Sequence, residues 1–397
     1  MHITESFETE IKYNCDVLVC GGGVAGIAAA ISAARSGKQV ILTERMFMLG
    51  GLATAGLVAI YLPLCDGMGN QVSFGLAEEL LRLSVAEWHD NERGYDNWVA
   101  EKNVTNSEKT PRYEVAFNPQ LFAISAEQLL LKENVKILYG TTAVLASVAD
   151  DKLKAVIFEN KSGRFGITAK SFVDATGDAD LAVFSGIPTE TFKQGNILAA
   201  WYYSNENGGY NLKTLGVADI PDSMKKEGRD VPMLSKKRYM GLDGEEISDL
   251  MIASHASTMN DFLKERGKNA DYQPTTIATI PQLRMTRRVV GEYTLDDSEV
   301  HKFFDDSIGL VSDWRKRGPV YEVPFATLYS KCMKNLLFAG RVTSVTDAMW
   351  DIMRVIPCCA VTGEAAGIAA SMCDDMTTLD VSKLQAELEL RGVKLHE

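Results

Sequence analysis

At 397 residues the chain is too long for one small hydrophobic core, so we expect two domains or one domain with large insertions. Its 46% hydrophobic and 24% charged residues are ordinary for a globular protein. The net charge of −12 argues against nucleic acid and anionic membranes as general partners. It does not exclude an anionic small molecule, because a local arginine cluster can override the average charge.

The N-terminal segment and the cysteines predict a cytoplasmic protein. "MHITESFETEIKYN" lacks the basic start and the apolar core of a signal peptide. No apolar run reaches the length of about eighteen residues that predicts a membrane span. The seven cysteines include no CxxC pair, which favours a reducing compartment and buried thiols.

The first predicted elements are a strand, a glycine-rich turn, a helix and a second strand, in "DVLVCGGGVAGIAAAISAARSGKQVILTER". Gly21 permits the tight turn, Gly23 lets a pyrophosphate approach the backbone, and Gly26 lets the helix pack on the strand. The helix N-terminus offers free N–H groups to phosphates. Glu44, at the end of the second strand, can accept hydrogen bonds from adenosine ribose hydroxyls and would repel the 2′-phosphate of NADP.

The next elements are a helix, a loop, a second helix and several strands. The pattern "GLAEELLRLSVAEWHD" predicts a helix, and residues 91–112 predict a long surface loop. Asn118 and Pro119 are an N-cap and a first helical residue for "QLFAISAEQLLLKEN". "VKILYG", "TAVLASVAD", "KLKAVIFEN" and "RFGITAKSFVDATG" then predict an antiparallel meander of three or four strands.

The composition changes between residues 187 and 322, where aromatic clusters, a glycine-rich turn and the helical pattern "EEISDLMIASHASTMNDFLKERG" are mixed. We interpret this segment as an α+β substrate or cap domain. Residues 1–186 and 323–397 would then form a discontinuous Rossmann-type α/β domain, with a parallel sheet and the meander. The C-terminal part ends in a strand, "NLLFAGR", and a helix, "IPCCAVTGEAAGIAASMC".

Five segments resemble one family of flavoproteins: "ERMFMLGGLATAG", "VDATGDADLA", "PQLRMTRRVVGEYTL", "EVPFATLYSKCMKNLLFAGR" and "MRVIPCCAVTGEAAGIAA". They are similar to the FAD-dependent oxidoreductases that have the glutathione-reductase type of Rossmann domain, and within them to a large bacterial family. An early dinucleotide motif followed by a meander also favours FAD over NAD. No second dinucleotide fingerprint is present, so a domain for NAD(P)H is not expected.

The resemblance implies a set of residues for noncovalent FAD. The pyrophosphate would be held by Gly21, Gly22, Gly23, Ala25 and Gly26, and the adenosine by Glu44, Arg45 and the backbone near Val144. The flavin end would lie near Gly50, Gly51, Ala53 and Thr54. The cofactor domain would be closed by Thr176, Gly177 and Asp178, and the ribityl chain would lie at Gly340 and Arg341. Many relatives carry an acid where this chain has Arg341.

The last helix has a start, near Pro357 to Val361, that would aim free N–H groups at the flavin pyrimidine edge. Gly363 and Gly367 would allow this helix a close approach. The alternative is a helix that packs only for stability.

Candidates for the chemistry are few. His255 is the best histidine for a base, although a surface or core histidine is the simpler interpretation. Arg284, Arg287 and Arg288 lie in a predicted strand, and their forks suit a substrate carboxylate or phosphate. The alternative is an internal ion pair, for instance with Glu292.

Arg354 is a further candidate, as an anion contact or flavin neighbour. Cys358 and Cys359 are interpreted as buried thiols rather than a bridge, because a disulfide between adjacent cysteines is strained. No metal site is predicted.

These observations predict an enzyme that uses FAD for two-electron dehydrogenation or reduction of a polar organic molecule, with an anionic one as an option. The electron donor or acceptor is not identified by the sequence, and homo-oligomerisation is left open. Two alternatives are an oxygen-using oxidase and a flavoprotein with a non-redox or structural FAD.

Overall fold

The computed structural model describes residues 2–90, 114–206, 208–216 and 233–397. The predicted loop at residues 91–112 lies outside this part of the chain. The helices are α1 (Val24–Arg35), α2 (Leu76–Val85), α3 (Pro119–Lys132), α4 (Asp180–Phe184), α5 (Gly244–Arg266), α6 (Asp347–Met353), α7 (Ile356–Met372) and α8 (Val381–Leu390).

The strands occur singly and in consecutive runs between these helices. They are β1 (Ile11–Cys20), β2 (Val40–Thr43), β3 (Ile60–Tyr61), β4 (Val115–Ala116), β5 (Lys136–Leu138), β6 (Thr142–Ala149), β7 (Lys152–Asn160), β8 (Gly163–Asp174), β9 (Thr189–Thr191), β10 (Tyr202–Glu206), β11 (Gly209–Lys213), β12 (Gln273–Ile277), β13 (Arg287–Val289), β14 (Ser307–Ser312), β15 (Val320–Pro324) and β16 (Leu336–Phe338).

The largest sheet confirms the predicted fold class. Its order is β5-β2-β1-β8-β7-β6, and β16 also pairs with β8. Strands β5, β2, β1, β8 and β16 run parallel, whereas β6, β7 and the first half of β8 form an antiparallel meander. The carboxyl ends of the parallel strands therefore lie at one edge, where ligands of open α/β sheets bind.

The prediction that "VKILYG" opens the meander was wrong. Strand β5 pairs in parallel with β2, with Lys136 opposite Ile41. A parallel partner requires a crossover, and α3 supplies it directly before β5. The Asn118 side chain caps this helix by accepting from the N–H groups of Gln120 and Leu121, as predicted.

Helices α1 and α7 pack with their backbones nearly in contact at the centre of the core. A Cβ on Gly363 would lie 2.2 Å from the Ala25 carbonyl oxygen, and one on Gly367 would lie 2.2 Å from that of Ala29. The close approach predicted for these two glycines is thus made to α1.

The segment predicted as the substrate domain contains a three-stranded sheet, β11-β10-β12, and the long helix α5. The Asp243 side chain caps α5 by accepting from the N–H groups of Glu245 and Glu246. The predicted boundary after Glu322 falls inside β15, which pairs with β14. The division into two domains stays a prediction.

Within the described residues, no single helix is both long enough and apolar enough to cross a membrane. Helices α6 and α7 reach that length and composition only together, and they are bent by 89° at the break between them.

Candidate cofactor and active site

A cavity of about 350 Å³ opens at the carboxyl edge of the parallel strands. It lies between the glycine-rich turn after β1, the loop after β2, the ends of β8 and β16, and the start of α7. The residues predicted for FAD that line it are Gly21, Gly23, Ala25, Glu44, Arg45, Gly50, Gly51, Ala53, Thr176, Gly177, Asp178, Gly340 and Arg341.

The glycines of the turn have the geometry that a pyrophosphate cradle needs. Gly21 has φ of 104°, and a Cβ there would lie 2.3 Å from the Ala175 carbonyl oxygen. A Cβ on Gly26 would lie 1.8 Å from the Gly21 carbonyl oxygen, so α1 can lie against the turn only with glycine there. A Cβ on Gly23 would meet nothing within 4 Å. Because Gly23 lines the cavity, this open side is where a phosphate can approach the backbone.

Glu44 holds the turn as well as facing the cavity. Its Oε2 accepts from the Gly22 N–H at 2.7 Å, and its Oε1 accepts from the Met46 N–H at 2.8 Å. Each oxygen keeps a second lone pair, so the carboxylate still fits ribose hydroxyls. Burial raises the pKa of Glu44, and the two backbone N–H groups oppose that rise. Gly22 thus does not line the cavity, and it contributes by donating its N–H to Glu44.

Arg341 is held where many relatives have an acid. Its Nη1 donates to the Leu283 carbonyl oxygen at 2.6 Å, and its guanidinium lies against Gly177. Burial lowers the pKa of Arg341, and the carboxylate of Asp178 opposes the shift. Because hydroxyls accept as well as donate hydrogen bonds, an arginine here still fits a ribityl chain.

Besides Gly22 and Gly26, three further residues expected to contact FAD do not line this cavity. Thr54 is buried and its hydroxyl donates to the Leu49 carbonyl oxygen. Val144 lies at an irregularity of β6, between Ala143 and Leu145, where the pairing with β7 shifts. Val361 is buried in the second turn of α7, while the cavity is lined by the residues at the start of that helix.

The start of α7 lies at the cavity, as its predicted role requires. The helix begins at Ile356, and Ile356 and Cys359 line the wall. Its first N–H groups lack intrahelical acceptors by geometry. Burial raises the pKa of Cys359 to about 12 and raises that of Cys358 well above its usual value. Both raised values favour the neutral thiol, in agreement with the interpretation of Cys358 and Cys359 as buried thiols.

The structure does not bring His255 to the cavity. His255 is exposed on α5, and its neighbour Ser254 is the residue that faces the core. No histidine lines the cavity within the described residues. The simpler interpretation, a surface histidine, fits this position.

Arg287 and Arg288 form internal ion pairs, which was the alternative to an anion site. Arg287 contacts Asp180 at 3.0 Å, and Arg288 contacts Glu190 at 2.8 Å and Asp347 at 3.2 Å. The suggested partner Glu292 was wrong. Strand β13 begins only at Arg287, so Arg284 lies outside the strand that was predicted for all three arginines.

Several lining residues were missed from the sequence. The cavity wall opposite the glycine-rich turn is formed by residues of the predicted substrate segment, namely Gly241, Ile247, Thr279, Ile280, Pro281 and Leu283. "TIPQL" overlaps the start of "PQLRMTRRVVGEYTL", one of the segments that supported the family resemblance, and that overlap was the available signal.

The fold and the cavity together define a Rossmann-type dinucleotide-binding protein. The chain belongs to the FAD dependent oxidoreductase family, whose model matches residues 16–200 and 193–388. It is thus an enzyme with FAD as its cofactor. The glutathione-reductase subtype stays a prediction.

Comparisons with individual proteins give short or distant matches. Thioredoxin reductase of Ureaplasma parvum is 37% identical over 71 residues, which is 18% of this chain and 23% of that protein's length. A geranylgeranyl bacteriochlorophyll reductase-like protein of Thermoplasma acidophilum is 13% identical with a TM-score of 0.48, covering 96% of this chain and 84% of its own. The p-nitrophenol 4-monooxygenase of Pseudomonas putida is 12% identical with a TM-score of 0.49, covering 95% and 84%. None of these matches bears on the substrate.

A buried carboxyl outside the cavity predicts a pH effect on stability. Glu364 of α7 accepts from the Leu76 N–H at 2.7 Å, and burial raises its pKa from 4.5 to about 7. Its contribution to stability is present below pH 4.5 and is lost as the pH rises through about 7. We expect Glu364→Gln to remove roughly 3 kcal/mol of this pH-dependent change in the free energy of unfolding.

Urea unfolding of both proteins across this pH range measures the effect. The matched control is Glu389→Gln on α8, because Glu389 is exposed and should keep the wild-type pH profile. An unchanged profile for the Glu364 variant would contradict the assignment.

Proposed function

We propose that the protein holds FAD noncovalently in the 350 Å³ cavity and performs two-electron dehydrogenation or reduction of a polar organic molecule. The main support is the extent of the cavity. It runs from the glycine-rich turn to the wall formed by Thr279, Ile280, Pro281 and Leu283. One wall belongs to the dinucleotide fold and the other to the predicted substrate domain, so a second molecule can meet the cofactor between them.

FAD supplies the hydride chemistry when bound, and the residues of the chain position the reactants. Gly23 and the N-terminus of α1 would bind the pyrophosphate, and Glu44 would bind the ribose. The N-terminus of α7 would favour negative charge at the pyrimidine edge. Ile280, Pro281 and other apolar wall residues would exclude water from the reacting end.

Anaerobic spectroscopy of the purified protein tests this proposal. We expect a yellow protein that releases FAD on denaturation, is bleached by a substrate and recovers its colour with an electron acceptor. A colourless protein that gains no thermal stability from added FAD would overturn the proposal.

The same experiment separates the alternatives. Recovery with oxygen alone, accompanied by hydrogen peroxide, would indicate an oxidase. Turnover without any change in the flavin spectrum would indicate a non-redox or structural FAD.

A further inference from the structure

A second, smaller cavity of about 70 Å³ adjoins the cofactor cavity. The two cavities share Leu52, Ala53, Arg341, Arg354 and Ile356. The smaller one has a polar wall made of three arginines, and Arg284 is the member that the cofactor cavity does not share. This is more room than a single water needs, so the space admits a small polar group.

Arg284 is buried with one edge of its guanidinium unpartnered. Its exposed fraction is 4%, and Nη1 donates to the Gln282 carbonyl oxygen at 2.8 Å. Within the described residues, Nε and Nη2 have no hydrogen-bond acceptor. In the same part of the chain, no carboxylate oxygen lies close enough to the Arg284 guanidinium, at 4.0 Å or less, to form an ion pair. Nε and Nη2 are neighbours along one edge of the fork, which matches the two oxygens of a carboxylate.

The guanidinium is held in place despite this unpartnered edge. It lies over the Trp201 ring at 5.1 Å, and the Trp201 indole N–H donates to the Gly216 carbonyl oxygen. A buried donor left without an acceptor costs about 1–3 kcal/mol, so an arginine that served packing alone would be expected to have its donors satisfied. Within the described residues, no acceptor of this chain satisfies the edge, and Arg284 borders the smaller cavity.

The charge around Arg284 also favours an anion. The pKa of Arg284 is lowered to about 9, mainly by burial and then by the nearby charge of Arg354, which outweighs the opposing effect of Asp351. Asp351 is already paired with Arg354, and it also lies 3.6 Å from Arg315. The nearby carboxylate is thus committed to other arginines, and an added negative charge would be stabilised.

We propose that Arg284, Arg341 and Arg354 form a subsite for the carboxylate of a small organic-acid substrate, with Arg284 as its bidentate anchor. The proposal rests on the proposed function, because the subsite opens beside the reacting end of the cofactor cavity. The rest of its wall is apolar and includes Val58, Ile60 and Leu62, which suits a short carbon chain next to the carboxylate.

Carboxylate binding to the FAD-loaded protein tests the subsite. Acetate and succinate are titrated while the flavin absorption spectrum and the midpoint of thermal unfolding are recorded. We expect both readouts to respond in the wild type and the affinity to fall about 10- to 150-fold in Arg284→Met, the range for a lost charged hydrogen bond. The matched control is Arg266→Met, because Arg266 is exposed on α5 and lines neither cavity.

A second variant guards against a folding defect in the first. Arg284→Lys keeps the charge but not the two-nitrogen edge, so we expect a weaker carboxylate affinity with the FAD retained. An unchanged affinity in both variants would overturn the subsite. A shift in the flavin reduction potential without a loss of carboxylate affinity would overturn it as well, because Arg284 would then serve the flavin.

The outcomes separate this inference from the proposed function. A yellow protein that is reduced by an uncharged substrate and ignores both carboxylates would overturn the subsite alone. A protein that binds no FAD would overturn the proposed function.

Discussion

Gly23→Val should strongly weaken FAD binding while leaving the protein folded. Gly23 has φ of −67°, which valine adopts without strain, and a Cβ there meets no protein atom within 4 Å. The added side chain would enter the cavity on the side where the pyrophosphate approaches the backbone. Steric overlap of this size costs about 1–3 kcal/mol or more, so FAD affinity should fall about 100-fold.

Flavin content after purification and titration with FAD measure this loss, and circular dichroism checks the fold. Gly244→Val is the matched control, since Gly244 also has open space around its Cβ but lies at the exposed start of α5. That variant should retain its flavin. A Gly23→Val protein with normal FAD content would contradict the placement of the pyrophosphate at this turn.

Gly367→Val should strongly destabilise the fold with or without FAD. Its Cβ would lie 2.2 Å from the Ala29 carbonyl oxygen, which is backbone of α1 and cannot rotate away. The nearby Ser32 hydroxyl, which donates to the Glu364 carbonyl oxygen, would also be displaced. Overpacking of this kind costs about 1–3 kcal/mol, occasionally more, and here it separates two central helices.

Thermal and urea unfolding measure the effect. Met372→Val is the matched control on the same helix, because it places a β-branched residue at an exposed position. We expect only the Gly367 variant to lose the α1–α7 packing. Equal stability of the two variants would contradict the close contact between these helices.

Local patterns predicted the elements around the cofactor well. The turn at Gly21 to Gly26, the acid at Glu44 and the cap at Asn118 each depend on neighbours within a few residues or on one strand–helix–strand unit. The family and its cofactor follow from such motifs because phosphate recognition is built from short backbone segments.

The errors have a common physical origin in long-range pairing. Strand β5 could not be assigned to the parallel sheet from its own residues, since its partner β2 is distant in the chain. The same holds for Arg287 and Arg288, whose carboxylate partners lie in other elements. The strand predicted over Arg284, Arg287 and Arg288 was too long, because β13 begins only at Arg287.

The sequence by itself determined the dinucleotide turn, its acidic partner and the family, because these depend on residue types at fixed local spacings. Only the tertiary structure decided which of these three arginines, within the described residues, has no carboxylate partner. The distance to carboxylates, not residue type, distinguishes Arg284 from Arg287 and Arg288, and it arises when segments far apart in the chain are packed together. The expected substrate chemistry therefore depends on tertiary packing, whereas the expected cofactor chemistry depends on residues that are close together in the chain.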